Sequence, residues 1–203
     1  MKSSNDYNAF LIFGPPGCGK GTVGSKLSYI SHLKHISTGE IFRSMPPTSD
    51  NGILFHQYAS QGKLVPDELT VRIFSSYLKG LEDSHSYDPR KEILLLDGIP
   101  RTPAQATLID DVVNVAHLLV LEIKNEEILV ERLLNRAKIE GRKDDMDENV
   151  IRNRFTEYRA KTAAVLECYP GSKITKINGE NSPDEVFCDT LQVVIRVRKY
   201  LGV

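Results

Sequence analysis

The chain has 203 residues, 40% of them hydrophobic and 26% charged, the proportions of a folded domain with a sizeable core rather than of a disordered segment. A formal net charge of −1 argues against a globally basic nucleic-acid binder, and no apolar run approaches membrane-spanning length. Cys18, Cys168 and Cys188 are an odd number without CxxC spacing, so neither a disulfide framework nor a zinc ribbon fits, and a reducing, cytoplasmic setting is expected.

The N-terminus, MKSSNDYNAF, is polar and lacks the apolar core of a signal peptide. It runs into the first predicted strand, AFLIF (9–13), which is followed by GPPGCGKGT (14–22) and an amphipathic helix. Gly14, Gly19 and Lys20 keep the Gly-x-x-x-x-Gly-Lys spacing of a phosphate-binding loop, after a strand and before a helix. In such a loop backbone N–H groups form a concave nest for phosphate oxygens, the helix adds its positive dipole end, and the lysine bridges the outer phosphates. One departure is that Gly21 stands where Ser or Thr would follow the lysine, with Thr22 next, so a magnesium contact there is indirect.

Further short apolar runs follow: LKHI (33–36), EILLLD (92–97), HLLVLEI (117–123) and KITKI (173–177). Between them lie helical patterns such as DELTVRIFSSYLKGL and EEILVERLLNRAKI. Runs without polar alternation, separated by helices, predict an α/β fold with a parallel sheet covered on both faces. Two segments depart from this rhythm: 37–66, helical but broken by Met45-Pro46-Pro47, and 137–145, AKIEGRKDD, polar and glycine-bearing. The C-terminal DEVFCDTLQVVIRVRKYL is an amphipathic helix expected to pack on the sheet.

A buried strand ending in Asp97 puts a carboxylate beside the glycine loop, where it can organise magnesium through water. Arg132 and Arg136 are four apart on one helix face, Arg142 lies in the polar excursion, and Arg154 lies on the next helix. Phosphoryl transfer spreads negative charge over the moving group, so positioning and cationic stabilisation carry its catalysis, and clustered arginines fit that need. The five histidines show no ligand spacing.

Taken in order, GPPGCGKGT, ISTGEIFR (36–43), GKLVPDEL (62–69), LLDGIPRTPAQA (95–106) and the ERLLNR, GRKDD and RFTEY segments (131–158) resemble adenylate kinase over nearly the whole chain. The resemblance implies reversible phosphoryl transfer from MgATP to AMP, giving two ADP. It also implies a P-loop NTPase-type five-stranded parallel sheet, with an insert that binds the nucleoside monophosphate at about 37–66 and a short lid, without zinc, at about 137–145. Family members are usually monomers, and the partners implied are the nucleotides ATP, AMP and ADP rather than nucleic acid or membrane. By the same resemblance Gly17, Cys18, Gly19, Lys20, Gly21 and Thr22 would hold ATP phosphates. Arg132 and the main chain at Ser182 would flank the ATP base. Thr38 and Arg43 would contact AMP, the backbone of Lys63, Leu64 and Val65 together with Gln105 would read its adenine, and Gly98, Ile99, Pro100 and Arg101 would line the same pocket. Lys20, Arg101, Arg136, Arg142 and Arg154 would surround the transferring phosphate, with Mg2+ entering with ATP and held near Asp97.

UMP/CMP kinases share this plan but usually carry alanine and asparagine at the positions of Thr38 and Gln105, so these residues favour AMP. The alternatives are a UMP/CMP kinase and a nucleotide-binding regulatory module without catalysis. Ile99 replaces the family's usual phenylalanine, and SMPPTSDNG shortens and kinks the insert after Arg43. The segment after Asp144–Asp145 is one residue longer than usual, which leaves Arg152 and Arg154 as rivals; they lie about 200° apart around a helix, so only one can face the site. Arg154 is preferred, because RFTEY reproduces the Arg-x-x-x-Tyr spacing.

Overall fold

The structure, a computed structural model, describes residues 7–30 and 32–201, apart from the side chains of Lys143 and Leu201; residues 1–6, on which the signal-peptide reading rests, lie outside the described residues. Among the described residues the strands are β1 (Tyr7–Phe13), β2 (Leu33–Ser37), β3 (Ile93–Asp97), β4 (Val113–Glu122) and β5 (Ile174–Asn178). The helices are α1 (Lys20–Ser28), α2 (Thr38–Arg43), α3 (Asp50–Ala59), α4 (Asp67–Asp83), α5 (Pro103–Asp110), α6 (Glu126–Glu140), α7 (Glu148–Glu157) and α8 (Pro183–Leu201). The strands form one parallel sheet in the order β2-β3-β1-β4-β5, the predicted α/β architecture.

The unalternating runs have the expected cause, since both faces of the sheet are buried. Leu11, Leu94, Leu96 and Leu118 turn one way, against Val71, Phe74 and Leu78 of α4 and Ile109 of α5. Phe10, Ile12, Leu95 and Leu119 turn the other way, against Val23 and Leu27 of α1, Leu129 and Leu133 of α6, and Val193 and Val194 of α8. The C-terminal helix therefore packs on the sheet as expected.

β4 begins at Val113, earlier than the apolar run at 117 predicts. Its first residues alternate, with Asn114 exposed between buried Val113 and Val115, and Ala116 is skipped where the β1–β4 register shifts between Ala9 and Phe10. A search for continuous apolar residues misses such a strand start.

The excursion after β2 consists of the short α2, a break at the proline pair, and α3, which starts where the Ser49 side chain accepts a hydrogen bond from the Gly52 N–H. The polar excursion is shorter than the sequence suggests, because α6 continues to Glu140 before Gly141, in the left-handed region at φ 65°, ends it. One 3-10 turn at Lys143–Asp145 then leads to α7.

Leu95 is fully buried in β3, between α-helical neighbours that cannot collapse into a gap. Leu95→Ala is expected to lower unfolding stability by about 2–5 kcal/mol, read from the midpoint of a urea denaturation curve.

Candidate functional site

In a parallel sheet of this kind ligands collect at the carboxyl ends of the strands. β1 and β3 are neighbours, with Ile12 opposite Asp97, so the loops that leave them emerge side by side. They border a cavity of about 910 Å3, near the top of the range of roughly 300–1,000 Å3 typical of small-molecule sites.

The glycine loop forms its floor. Gly14 holds φ 148°, and a Cβ there would lie 2.5 Å from Cys18 Sγ and 2.6 Å from the Leu121 carbonyl, so no other residue fits. At Gly19, the left-handed N-cap of α1, no side chain caps the first helical turn, which leaves its N–H groups available to an anion. The Lys20 ammonium folds over the loop and donates to the carbonyls of Gly14 (2.6 Å) and Pro15 (3.0 Å). Cys18 is buried and lies 3.5 Å from that ammonium.

The opposite wall is cationic. Arg43, Arg101, Arg136, Arg142 and Arg154 all line the cavity, although they come from separate parts of the chain. Burial, followed by repulsion from Arg154 and Arg43, holds the Arg101 guanidinium below its ordinary pKa, with Asp97 opposing. Arg43 is lowered in the same way, first by burial and then by Arg142 and Arg136. Asp145, fully buried, counters this charge: Arg136 donates twice to its Oδ2 (2.8 and 2.6 Å), and Arg154 donates to its Oδ1. Arg142 pairs with Glu140 at 2.6 Å. Arg152 points elsewhere, exposed and engaged with Glu148 and Glu127, which raise its pKa.

The same cavity extends into a recess beside α2 and α4, where Thr38, Leu64, Val65, Thr70 and Gln105 line it. The Thr38 hydroxyl donates to the Gly98 carbonyl at 2.8 Å. Thr102 caps α5 by accepting from the Gln105 N–H at 3.0 Å, with Pro103 in the first turn, and so places the buried Gln105 side chain at the recess. At its rim Gly62, at φ 66°, lies so close to α7 that a Cβ would come 2.8 Å from the Val150 carbonyl. The Gln61 carbonyl beside it accepts from the Asn153 side chain.

Of the residues named from the sequence, Gly17, Cys18, Gly19, Lys20, Gly21, Thr22, Lys63, Asp97, Gly98, Pro100 and Arg132 also border the cavity. Ile99 and Ser182 do not. Ile99 is buried in the core beneath, and the Ser182 N–H and hydroxyl both donate to Glu185 in a capping arrangement at the start of α8, while its neighbours Asn181 and Pro183 reach the cavity. The structure adds Phe42, Phe55, Tyr158 and Thr162. Tyr158 and Thr162 face inward from a π-helical turn at Tyr158–Thr162; burial pushes the Tyr158 phenol up to about 12, and the Thr162 hydroxyl donates to the Arg101 carbonyl at 3.0 Å. No sequence signal marks such a turn.

The family model for adenylate kinase matches residues 12–174. The chain belongs to the adenylate kinase family. It is 38% identical to the adenylate kinase of Flavobacterium psychrophilum, covering 87% of this chain and 92% of that protein. The adenylate kinase of Azobacteroides pseudotrichonymphae is 39% identical over 87% of this chain and 91% of its own length. That of Micrococcus luteus is 37% identical over 95% and 93%.

Removing the buried charge of Asp145 strips Arg136 and Arg154 of their shared acceptor. Asp145→Asn is expected to lower stability by about 1–3 kcal/mol in thermal unfolding, with part of the loss recovered in added phosphate, which can take the carboxylate's place between the arginines.

Proposed function

We infer that the chain catalyses reversible phosphoryl transfer from MgATP to AMP, giving two ADP, the activity of its family. The observation that carries this reading is one cavity lined together by the glycine loop, five arginines and the buried amide of Gln105. A triphosphate laid on the loop would meet the α1 N–H groups and Lys20, which exchanges its two carbonyl partners for phosphate oxygens. A monophosphate bound from the recess side would meet Arg43 and Arg101. Arg136, Arg142 and Arg154 would then stand around the group in flight, where charge spreads over its equatorial oxygens. Asp97 at the end of β3 would hold, through water, the magnesium that comes with ATP, which would neutralise phosphate charge there. Arg132, which donates to the Gly179 carbonyl at 3.4 Å, would flank the ATP base.

We take the segment at about 37–66, which contains α2 and α3, as the monophosphate clamp, and that at about 137–145, which contains the turn after Gly141, as the lid. Closing both excludes water, which is itself a phosphoryl acceptor. A UMP/CMP preference is disfavoured by Thr38 and by Gln105, whose amide offers a donor and an acceptor together to an adenine edge. The free thiols Cys18, Cys168 and Cys188 suit a cytoplasmic setting. Among the described residues no helix is long and apolar enough to cross a membrane.

Purified protein incubated with MgATP and AMP, GMP, CMP or UMP should form diphosphate fastest with AMP; a pyrimidine preference would overturn the base assignment, and binding without turnover would make the chain a regulatory module. Lys20→Ala should lower kcat by about two to three orders of magnitude with an unchanged circular dichroism spectrum. Arg154→Ala should cost about a hundredfold in kcat, whereas Arg152→Ala leaves it near the parent value.

A further inference from the structure

Gln105 is 1% exposed, and its amide is held on two sides from behind the recess. The Arg101 backbone N–H donates to its Oε1 at 2.7 Å, and its Nε2 donates to Asp67 Oδ1 at 2.9 Å. A backbone N–H can only donate and a carboxylate only accept, so these neighbours fix which end of the amide is oxygen and which is nitrogen. Rotating the amide by half a turn would set N–H against N–H and oxygen against carboxylate, two repulsive contacts around a buried side chain.

We propose that Asp67 is a positioning residue that makes the site selective for adenine over 6-oxopurines by locking the Gln105 amide in one orientation. This rests on the reading of the recess as the AMP base site. An amide has two N–H donors and two acceptor lone pairs; with one of each spent on Asp67 and Arg101, one donor and one acceptor remain for a base. Adenine presents an acceptor at N1 and a donor at its 6-amino group. Hypoxanthine, of almost the same shape, presents the reverse, a donor at N1 and an acceptor at O6. An unrestrained glutamine serves either edge by turning over, so the glutamine alone does not choose between them. The restraint chooses. Asp67 is the first residue of α4 and is not part of the cavity lining, so it acts on the base only through Gln105. The Arg101 N–H belongs to the main chain, which makes Asp67 the half of the restraint that side-chain substitution can remove.

The test compares kcat/KM for AMP and for inosine 5′-monophosphate, each with saturating MgATP, in the full chain. Asp67→Asn supplies a group that can face Gln105 with either oxygen or nitrogen, and Asp67→Ala removes the acceptor. In both, the AMP-to-IMP ratio is expected to fall about tenfold, the effect of one hydrogen bond to a charged group. Glu68→Gln removes the neighbouring exposed carboxylate from the same helix start and should leave the ratio at the parent value, which separates the lock from any general effect of charge on α4. A purely structural role for Asp67 would depress both substrates in proportion and shift only the thermal midpoint, and an unchanged ratio in both Asp67 variants overturns the proposal. Gln105→Ala tests the reading beneath it: the KM for AMP should rise more than that for ATP. If that KM is unmoved, the base site itself is misassigned. If it rises while the Asp67 variants keep the parent ratio, the lock alone is wrong.

Discussion

Like charges gathered half-buried along one cavity are the constraint around which this fold is arranged. Arg43 and Arg101 are each pushed below their ordinary pKa, by burial first and by their neighbours' charges next. Such a cluster is costly unless something negative is near. The protein supplies part of that need itself, through buried Asp145 between Arg136 and Arg154 and through Glu140 against Arg142. The remaining charge faces the cavity that the glycine loop also lines. On the proposed function, affinity for phosphate and readiness for its transfer come from this one imbalance.

The sheet makes the imbalance possible by fixing what cannot move. β1 and β3 run side by side, buried on both faces, so the floor of the cavity and Asp97 hold their separation. The arginines ride on more peripheral elements: Arg43 ends α2, Arg136 and Arg142 flank the end of α6, and Arg154 lies on α7. A rigid floor beneath a wall carried on separate pieces lets the wall be completed around a ligand without disturbing the core.

Much of this was legible in the sequence for identifiable physical reasons. Strands buried on both faces leave continuous apolar runs, and a loop that approaches an anion needs glycines at set positions, so the sheet and the floor could be read directly. The start of β4 could not, because its residues alternate and Ala116 falls at a register shift. Nor could the partners of the arginines: Asp145 is written as one of several acidic residues in a polar stretch, and only the packing of α6 against α7 shows it to be fully buried. Thr162 stayed hidden because a π-helical turn leaves no compositional mark, and Tyr158 was legible as the end of RFTEY but not as part of the cavity. Arg152 and Arg154 are equal candidates by chemistry, and the geometry of α7 separates them.

The close approach at Gly62 brings the segment that follows α3 against α7. A Cβ at Gly62 would meet not only the Val150 carbonyl but also the stem of Arg154, 3.1 Å from its Cγ, so only a residue without one lets the two segments pack this closely. That helix, α7, carries Arg154, which lines the cavity. On the proposed function, the smallest residue in the alphabet thus holds the monophosphate side of the cavity against the helix that bears Arg154.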